Sequence, residues 1–379
     1  LKKNANLAYN DHKISYISAN IVDKSTNQTP DYLSKSTIVE RNGYKIGIVG
    51  SIGESLKSSI MKTCVENYEF TNEVEAVNAE AKKLKEVDNC DIVIWTSHNG
   101  IANNAGLSSV SNVDAIFGGH SHTNEKVMVN NVPAVQTENY GSSVAHIQLK
   151  INQQTKAVSC SEYAVDEVPL TLSGLKANEN IKTIMSNYTA KIDDIKNIKL
   201  GKAPNDLRIT GALKNVCVES MYQGALKGIK ENKLEIPEDK IVATFHNVEG
   251  GIRKDIAKGE IKYREVYASF PFDNEIVLYK IKGQVIKDNM KNFSDYAVRR
   301  TFDDATELKS EEDYYICLTD FLALSTKYFA KFLLISEDSL IRTGKIVREE
   351  VADFVYKKDE IKTQDFASGK LPYKPIMII

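Results

Sequence analysis

The stretch Asp114–Thr123, with the sequence DAIFGGHSHT, decides the prediction of fold and site for the first half of the chain. Its apolar residues predict a short buried strand, and Gly118 and Gly119 predict a tight turn at the end of that strand. Because glycine permits sharp backbone turns, we expect His120 and His122 to face one point beyond the carboxyl edge of the strand. The stretch therefore predicts two imidazoles at one end of a sheet.

The same pattern occurs earlier in the chain, where the apolar run Asp91–Trp95 is followed by His98. Neutral imidazole binds zinc, manganese and related ions, and a two-metal centre holds a phosphoryl group during hydrolysis. Three of the six histidines of the chain lie at these predicted strand ends. The alternative is that each histidine lies in a surface loop without a function, but their clustering beside glycines favours half of a metal site. His98, His120 and His122 are therefore the predicted metal ligands.

Composition excludes several classes of protein. The chain has 379 residues, of which 42% are hydrophobic and 26% charged, which is typical of a globular protein with two domains. Its 49 basic and 51 acidic residues give a net charge of −2, so we expect no binding to nucleic acid or to an anionic membrane. No apolar stretch is long enough to span a bilayer. The five scattered cysteines indicate neither a disulfide framework nor a cysteine zinc site. The oligomeric state is left open.

The order of predicted elements indicates an α/β architecture for the first half. Tyr44–Val49 predicts a strand, and Thr71–Val87 predicts an amphipathic helix from apolar residues spaced three and four apart. Together with the two strands that precede the histidines, these elements give the strand-helix-strand order of a layered α/β domain. Short apolar runs between Lys126 and Val165, separated by Gly and Asn turns, predict an antiparallel extension of the sheet.

The second half is predicted to be a separate domain that follows a connector helix. The polar, helically spaced segment Asn178–Ile198 has too few apolar residues for a core element, which is typical of an interdomain connector. Beyond it the sequence predicts helices and strands at Gly211–Gly228, Lys240–His246, Ile276–Ile281, Tyr314–Leu318 and Glu349–Lys357. We therefore divide the chain into residues 1–168, a connector at 169–200, and residues 201–379.

A series of motifs in the first half suggests a family. They are Ser18–Ile21 (SANI), Tyr44–Gly50 (YKIGIVG), Asp91–Ile94 (DIVI), His98–Gly100 (HNG), Val113–Thr123, Pro133–Gln136 (PAVQ) and Tyr140–Gly141. In identity, order and spacing they resemble the latter part of the calcineurin-like metallophosphatase domain of the 5′-nucleotidases. The resemblance implies a layered αββα domain with two divalent metal ions, zinc or manganese, incompletely bound by this chain. It also implies that His98 and His120 bind one ion and His122 the other.

Motifs in the second half resemble the C-terminal domain of the same family, an α+β domain that supplies the substrate pocket. They are Gly250–Arg253 (GGIR), Lys258–Lys262 (KGEIK), Pro271–Phe272 and Leu278–Gly283. The resemblance implies that Arg253 grips a phosphate or carboxylate-like oxygen with its planar guanidinium. It implies that Phe272 stacks on a nucleobase and that Phe321 stands where the family has a second stacking ring. For both rings the alternative is packing in the core.

The chain also departs from the family pattern. Asn247 is separated from Arg253 by one residue more than usual, and Arg208 lies one position from the family's other substrate arginine. Lys327 stands where the family has an acid, which removes an acceptor for a ribose hydroxyl. The family's Asp-X-His and Gly-Asn-His-Asp/Glu segments belong upstream of Ser18. We therefore assign no catalytic residue and expect negligible hydrolysis of AMP by these 379 residues alone.

The resemblance implies a two-domain, metal-dependent hydrolase of nucleotide phosphomonoesters that serves nucleotide catabolism outside the cytoplasm, in the periplasm, on the cell surface or secreted. Two alternatives keep the fold: a hydrolase of 2′,3′-cyclic nucleotides or nucleotide sugars, and a catalytically inactive relative that still binds nucleotides. A carbohydrate or adhesion module is a third alternative, which would require both halves to mimic one family by accident.

Overall fold

The computed structural model describes residues 8–9, 12–102, 106–168, 176–294 and 296–366. The chain forms two compact units, Leu1–Lys176 and Ala177–Ile379. The first seven residues of the predicted connector, 169–175, lie outside the described residues. No helix in the described part of the chain is both long enough and apolar enough to cross a bilayer.

Unit 1 contains twelve strands and two helices among its described residues. In chain order they are β1 (Ala8–Tyr9), β2 (His12–Lys13), β3 (Ile21–Asp23), β4 (Ser36–Arg41), β5 (Tyr44–Ile52), α1 (Lys62–Val65), β6 (Tyr68–Phe70), α2 (Glu73–Glu86), β7 (Ile92–His98), β8 (Ala115–Gly118), β9 (Glu125–Val129), β10 (Val132–Gln136), β11 (Ser143–Ile151) and β12 (Val158–Glu167). The predicted strands before the histidines and the amphipathic helix are confirmed.

A six-stranded sheet with the order β4-β5-β7-β8-β10-β9 forms the centre of unit 1. Its inner strands β5, β7, β8 and β10 run parallel, whereas β4 and β9 are antiparallel edge strands. Buried parallel strands are continuously apolar, as in residues 92–95, and Trp95 is fully buried. Helix α2 packs Val77, Ala81 and Leu84 into this core.

The predicted antiparallel extension is only partly correct. Strands β9 and β10 do extend the sheet, but β10 joins it in the parallel direction beside β8. Strands β11 and β12 pair only with each other, in a separate two-stranded sheet. Alternation of apolar and polar residues indicates that strands exist, but it does not decide which strand pairs with which.

Unit 2 contains seven helices and seven strands in the described residues. They are α3 (Glu179–Lys196), β13 (Lys199–Ala203), α4 (Lys214–Glu231), β14 (Ile241–Asn247), β15 (Gly259–Lys262), α5 (Tyr263–Ser269), β16 (Glu275–Lys282), α6 (Gly283–Asp288), α7 (Met290–Phe293), β17 (Tyr296–Arg300), β18 (Asp313–Thr319), α8 (Asp320–Leu324), β19 (Leu340–Ile346) and α9 (Val347–Lys358). A mixed five-stranded sheet has the order β17-β14-β18-β16-β19.

Helix α4 packs closely against this sheet. A Cβ atom at Gly228 would lie 2.6 Å from Cβ of Thr343 in β19, so only glycine permits the observed approach. The predicted helix began at Gly211, but the regular helix begins at Lys214. The difference arises because Gly211 adopts φ −121° and ψ −123°, a conformation outside the helical region.

Unit 2 has two buried cysteines in its core and an exposed helix, α3, on its surface. Cys217 and Cys317 are fully buried in one hydrophobic cluster, and burial raises the pKa of both thiols, that of Cys317 to about 12. Helix α3, in contrast, has no buried residue, and Ile181, Met185 and Tyr188 are each more than half exposed.

Candidate metal centre and substrate-binding residues

The two predicted histidine loops meet at one edge of the unit 1 sheet. Strands β7 and β8 are parallel neighbours in which Ser97 pairs with Gly118, so the loops that follow them leave the sheet side by side. His98 Nε2 and His120 Nδ1 are 3.3 Å apart, and the two ring centroids are 5.0 Å apart in an edge-to-face arrangement. These two imidazoles therefore lie together at this edge, and both rings are accessible from solvent; that they bind a metal ion stays a prediction.

The backbone of the second loop holds its histidines in an uncommon conformation. His120 has φ 90° and His122 has φ 58°, values that residues with a side chain rarely adopt. Such backbone strain persists where the surrounding structure enforces it, and it clusters at functional sites. The glycine pair before His120 therefore explains only part of the turn, because the histidines themselves continue it.

His122 lies near enough to His98 to affect its pKa through charge. The side-chain amide of Asn139 donates to His122 Nδ1 at 3.1 Å, and the ring of Tyr140 is 6.4 Å away. Partial desolvation lowers the pKa of His98, the charge of His122 lowers it further, and Glu73 opposes both effects. The lowered pKa favours the neutral form of His98, which is the form that binds metal ions.

The spacing of His98 and His120 fits a shared metal ion. Two nitrogens that bind one tetrahedral ion at about 2.1 Å lie about 3.4 Å apart. The observed separation of Nε2 and Nδ1 is 3.3 Å. Within the described ranges, however, no group of three or more His, Cys, Asp or Glu side chains is arranged to hold a metal. The described residues therefore supply a fitting pair of ligands but not a complete coordination sphere.

A buried carboxylate that the sequence analysis missed anchors the His98 loop. Glu73, the first residue of α2, is only 3% exposed. Its oxygens accept hydrogen bonds from Ser51 Oγ and Ser97 Oγ, each at 2.7 Å, and from Asn99 Nδ2 at 2.8 Å. Ser97 and Asn99 flank His98 on both sides, so Glu73 fixes the position of that loop. The sequence does contain a signal that Glu73 is buried. Glu73 lies four residues before Val77 and therefore on the buried face of the helix.

In unit 2 the structure brings Arg253 and Phe272 together. The guanidinium carbon of Arg253 lies 5.5 Å from the centroid of the Phe272 ring, within the range of a cation–π contact. The ring is 40% exposed, so Phe272 is not a core residue. The backbone N–H of Arg253 donates to the carbonyl oxygen of Ser269 at 2.9 Å, which ties the loop to α5. A ligand can therefore contact a guanidinium and an aromatic face at one place.

Arg348 contacts the turn that carries Phe272, and nothing in the sequence indicated this role. It lies in the first turn of α9, yet its Nη2 contacts Asp273 Oδ1 at 2.5 Å and its Nη1 donates to the carbonyl oxygen of Phe272 at 3.5 Å. Its guanidinium carbon also lies 4.6 Å from the ring centroid of Tyr267. Because the side chain is largely buried, these contacts hold the Phe272 turn on the body of the unit.

The three remaining predicted substrate residues differ in their burial and in their contacts. Phe321 is the second residue of α8 and is half-buried, with its ring edge-to-face to that of Tyr328 at a centroid distance of 5.5 Å, so it lies outside the hydrophobic core. Asn247 is buried; its Nδ2 donates to the carbonyl oxygen of Glu249, and its Oδ1 has no hydrogen-bond partner among the described residues. Arg208 is exposed, and its closest anionic partner in the described part of the chain is Asp206 at 3.8 Å.

His246 precedes Asn247 and makes the stability of unit 2 depend on pH. Its Nδ1–H donates to the carbonyl oxygen of Asn247 at 2.8 Å, and burial lowers its pKa from the ordinary 6.5 to about 4. Between these two values the unfolded chain binds a proton that the folded chain excludes, so stability is lost as the pH falls from 6.5 toward 4. We expect a loss of up to about 3 kcal/mol in the free energy of unfolding.

Chemical unfolding followed by circular dichroism at about pH 7.5 and about pH 4.5 measures this loss. His246→Asn keeps a donor near the same position without a titratable ring, so the variant should lose less stability on acidification than the parent. Equal losses in the two proteins would mean that His246 does not contribute.

Comparison with known proteins shows what the chain is similar to. Residues 242–304 match the family model described as 5′-nucleotidase, C-terminal domain. The chain is 22% identical over 351 residues to the protein named endonuclease YhcR of Bacillus subtilis, covering 84% of this chain and 28% of that protein. It is 23% identical over 273 residues to the 5′-nucleotidase of Bos taurus, covering 63% of this chain and 46% of that protein. The chain spans about half or less of the length of the curated relatives it matches.

Among solved structures, the 5′-nucleotidase precursor from Thermus thermophilus superimposes with a TM-score of 0.69 at 16% identity, over 92% of this chain and 76% of that chain. At this identity the likeness concerns the fold alone. The fold class predicted from the sequence is thereby confirmed.

Proposed function

We propose that this chain serves a metal-dependent hydrolysis of nucleotide phosphomonoesters, outside the cytoplasm. The proposal is supported by the match of residues 242–304 to the 5′-nucleotidase C-terminal domain and by the similarity of the chain, in sequence and in fold, to 5′-nucleotidases. The observation that carries the proposal is the convergence of His98 and His120 at the carboxyl edge of parallel strands, with their nitrogens 3.3 Å apart. The substrate is a small nucleotide rather than a nucleic acid, since the chain has a net charge of only −2.

In unit 1, His98 Nε2 and His120 Nδ1 would hold one divalent ion, and His122 would hold a second; zinc and manganese both suit imidazole ligands. Metal ions bound there would polarise a phosphoryl oxygen of the substrate. The protein's own contribution is to favour the neutral form of His98 and to fix its loop through Ser97, Asn99 and Glu73, so this ligand is oriented before an ion arrives.

In unit 2, Arg253 would bind an anionic oxygen of the nucleotide, and Phe272 would stack on its base. This pairing is supported by the cation–π distance of 5.5 Å between the two side chains and by the ion pair of Arg348 with Asp273, which holds the Phe272 turn in place. Phe321 would supply the second ring. The unpartnered Oδ1 of Asn247 is an acceptor suited to an amino group of the base, given that no described residue donates to it. Arg208 is a further contact to phosphate in this proposal.

Binding of AMP, measured by calorimetry in the presence of manganese, tests the substrate part of the proposal. Arg253→Gln and Phe272→Ala should each weaken binding roughly tenfold, because the first removes a charge-assisted hydrogen bond and the second a stacking ring. Arg264→Gln is the matched control, since Arg264 is an exposed arginine of the same unit that pairs with Glu265. Equal affinities of all four proteins would contradict the assignment.

Phosphate release from AMP tests the reaction itself. The full-length natural protein should release phosphate with added zinc or manganese and stop when EDTA removes the ions. Release that persists in EDTA would exclude a metal-dependent mechanism.

A further inference from the structure

Unit 2 contains a cavity of about 510 Å³ that does not coincide with the predicted substrate residues. It lies between the turn before α4, the edge strand β17 and helix α7, and its walls include Thr210, Lys214, Phe293, Arg300 and Phe302. Arg253, Phe272, Asn247, Phe321 and Arg208 are all absent from its lining. Its volume lies within the range of about 300 to 1,000 Å³ that small-molecule sites occupy.

The charged residues among the described residues that line this cavity are Lys214 and Arg300. Lys214 and Arg300 are both half-buried, and the charge of Arg300 acts on Asp304, which lies outside the lining of the cavity. No Asp or Glu is found among the described residues that line the cavity. Lys214 is also the first residue of the 18-residue helix α4, whose amino-terminal end adds partial positive charge. These cationic groups make the cavity suited to an anion.

Part of the remaining wall is aromatic and closely packed, and polar residues such as Asn215 and Ser294 also line it. Phe293 lies 4.8 Å from Phe245 and stacks on Phe329 with centroids 5.7 Å apart and an interplanar angle of 17°. Phe302 is buried and lies 5.9 Å from the guanidinium carbon of Arg300. Aromatic walls of this kind bind flat apolar groups with little loss of side-chain freedom. A simple ion such as phosphate would leave this part of the cavity unused.

We propose that this cavity is a second binding site of unit 2, for a small organic anion with a flat apolar body. Lys214 and Arg300 bind its carboxylate, sulfonate or phosphate group, and the rings of Phe293 and Phe302 contact its body. The site is separate from the nucleotide site formed by Arg253 and Phe272, so it exists whether or not the proposed hydrolysis is correct.

Calorimetric titration of the whole chain with 2-naphthalenesulfonate, a soluble anion of this class, tests the proposal. Lys214→Gln and Arg300→Gln should each weaken binding about tenfold, the effect of losing one charge-assisted contact. Lys230→Gln is the matched control, because Lys230 is an exposed lysine in the last turn of the same helix. Thermal unfolding of each variant verifies that the fold is retained.

Three outcomes would overturn the proposal. Equal affinity of both cavity variants and the control would show that the probe binds elsewhere. Equal affinity for inorganic sulfate and for naphthalenesulfonate would show that the apolar wall has no role. Competitive displacement of the probe by AMP, lost in Arg253→Gln, would show that the cavity belongs to the nucleotide site. The uncharged analogue 2-naphthalenemethanol provides the supporting result. It should bind the parent more weakly than the sulfonate does, and its own affinity should be the same for the parent and for Arg300→Gln.

Discussion

Replacement of both His98 and His120 by alanine is expected to weaken zinc binding to the protein by more than about 100-fold, since even the loss of groups that only orient a ligand costs about 10- to 100-fold. The physical reason is the spacing of the two nitrogens, 3.3 Å, which matches two ligands of one ion. Competition with a chromogenic chelator measures the affinity. Each single variant should show a smaller loss than the double variant.

His146→Ala is the control for this experiment. His146 also lies in unit 1, and its ring nitrogens face Asp166 at 3.2 Å and Glu162 at 3.5 Å, so it is a histidine with acidic neighbours that the proposal does not use. A large loss of zinc binding in His146→Ala, together with none in the double variant, would move the metal site to the β11–β12 sheet. Thermal unfolding without metal separates lost ligands from lost fold.

Replacement of Glu73 by alanine is expected to lower the free energy of unfolding by about 3 kcal/mol or more, because buried donors left without an acceptor cost about 1 to 3 kcal/mol each. The donors that lose their acceptor are the side chains of Ser51, Ser97 and Asn99. Trp95 is the single tryptophan of the chain and donates to Ser51 Oγ at 2.6 Å, so its fluorescence reports directly on this network during urea unfolding.

The same variant should also bind zinc roughly tenfold more weakly, because the loop that carries His98 loses its anchor. Glu75→Ala is the matched control: Glu75 shares the first turn of α2 but is exposed, so both variants lose the same interaction with the helix dipole. If Glu73→Ala were as stable as Glu75→Ala and bound zinc as tightly as the parent, Glu73 would have neither role.

The sequence predicted the histidine pair because its signals are local. A strand, its terminal glycines and the following histidine lie within about ten residues, and parallel strands bring their carboxyl ends to the same edge. Glu73 and Arg348 were missed because their roles depend on partners far away in the chain. Arg348 reaches Asp273 and Phe272 across 75 and 76 positions, a contact that no periodic pattern records.

The errors in the fold have equally physical causes. The partner of β10 could not be predicted because alternation shows which face of a strand is buried, not which neighbour it takes. The start of α4 was placed too early because Gly211 matched the helical spacing while its backbone leaves the helical region. Phe321 lies beside three buried residues of an apolar run, and only the structure distinguishes the half-exposed ring from its neighbours.

The distribution of thiols gives each unit a different chemical reactivity. Cys64 is exposed and Cys160 partly so, and both belong to unit 1, whereas Cys217 and Cys317 are sealed in the interior of unit 2. An alkylating reagent therefore labels unit 1 in the native protein, while alkylation of unit 2 requires that its interior open first. Peptide mass spectrometry of a timed labelling reaction would thus follow the opening of unit 2 without any engineered probe.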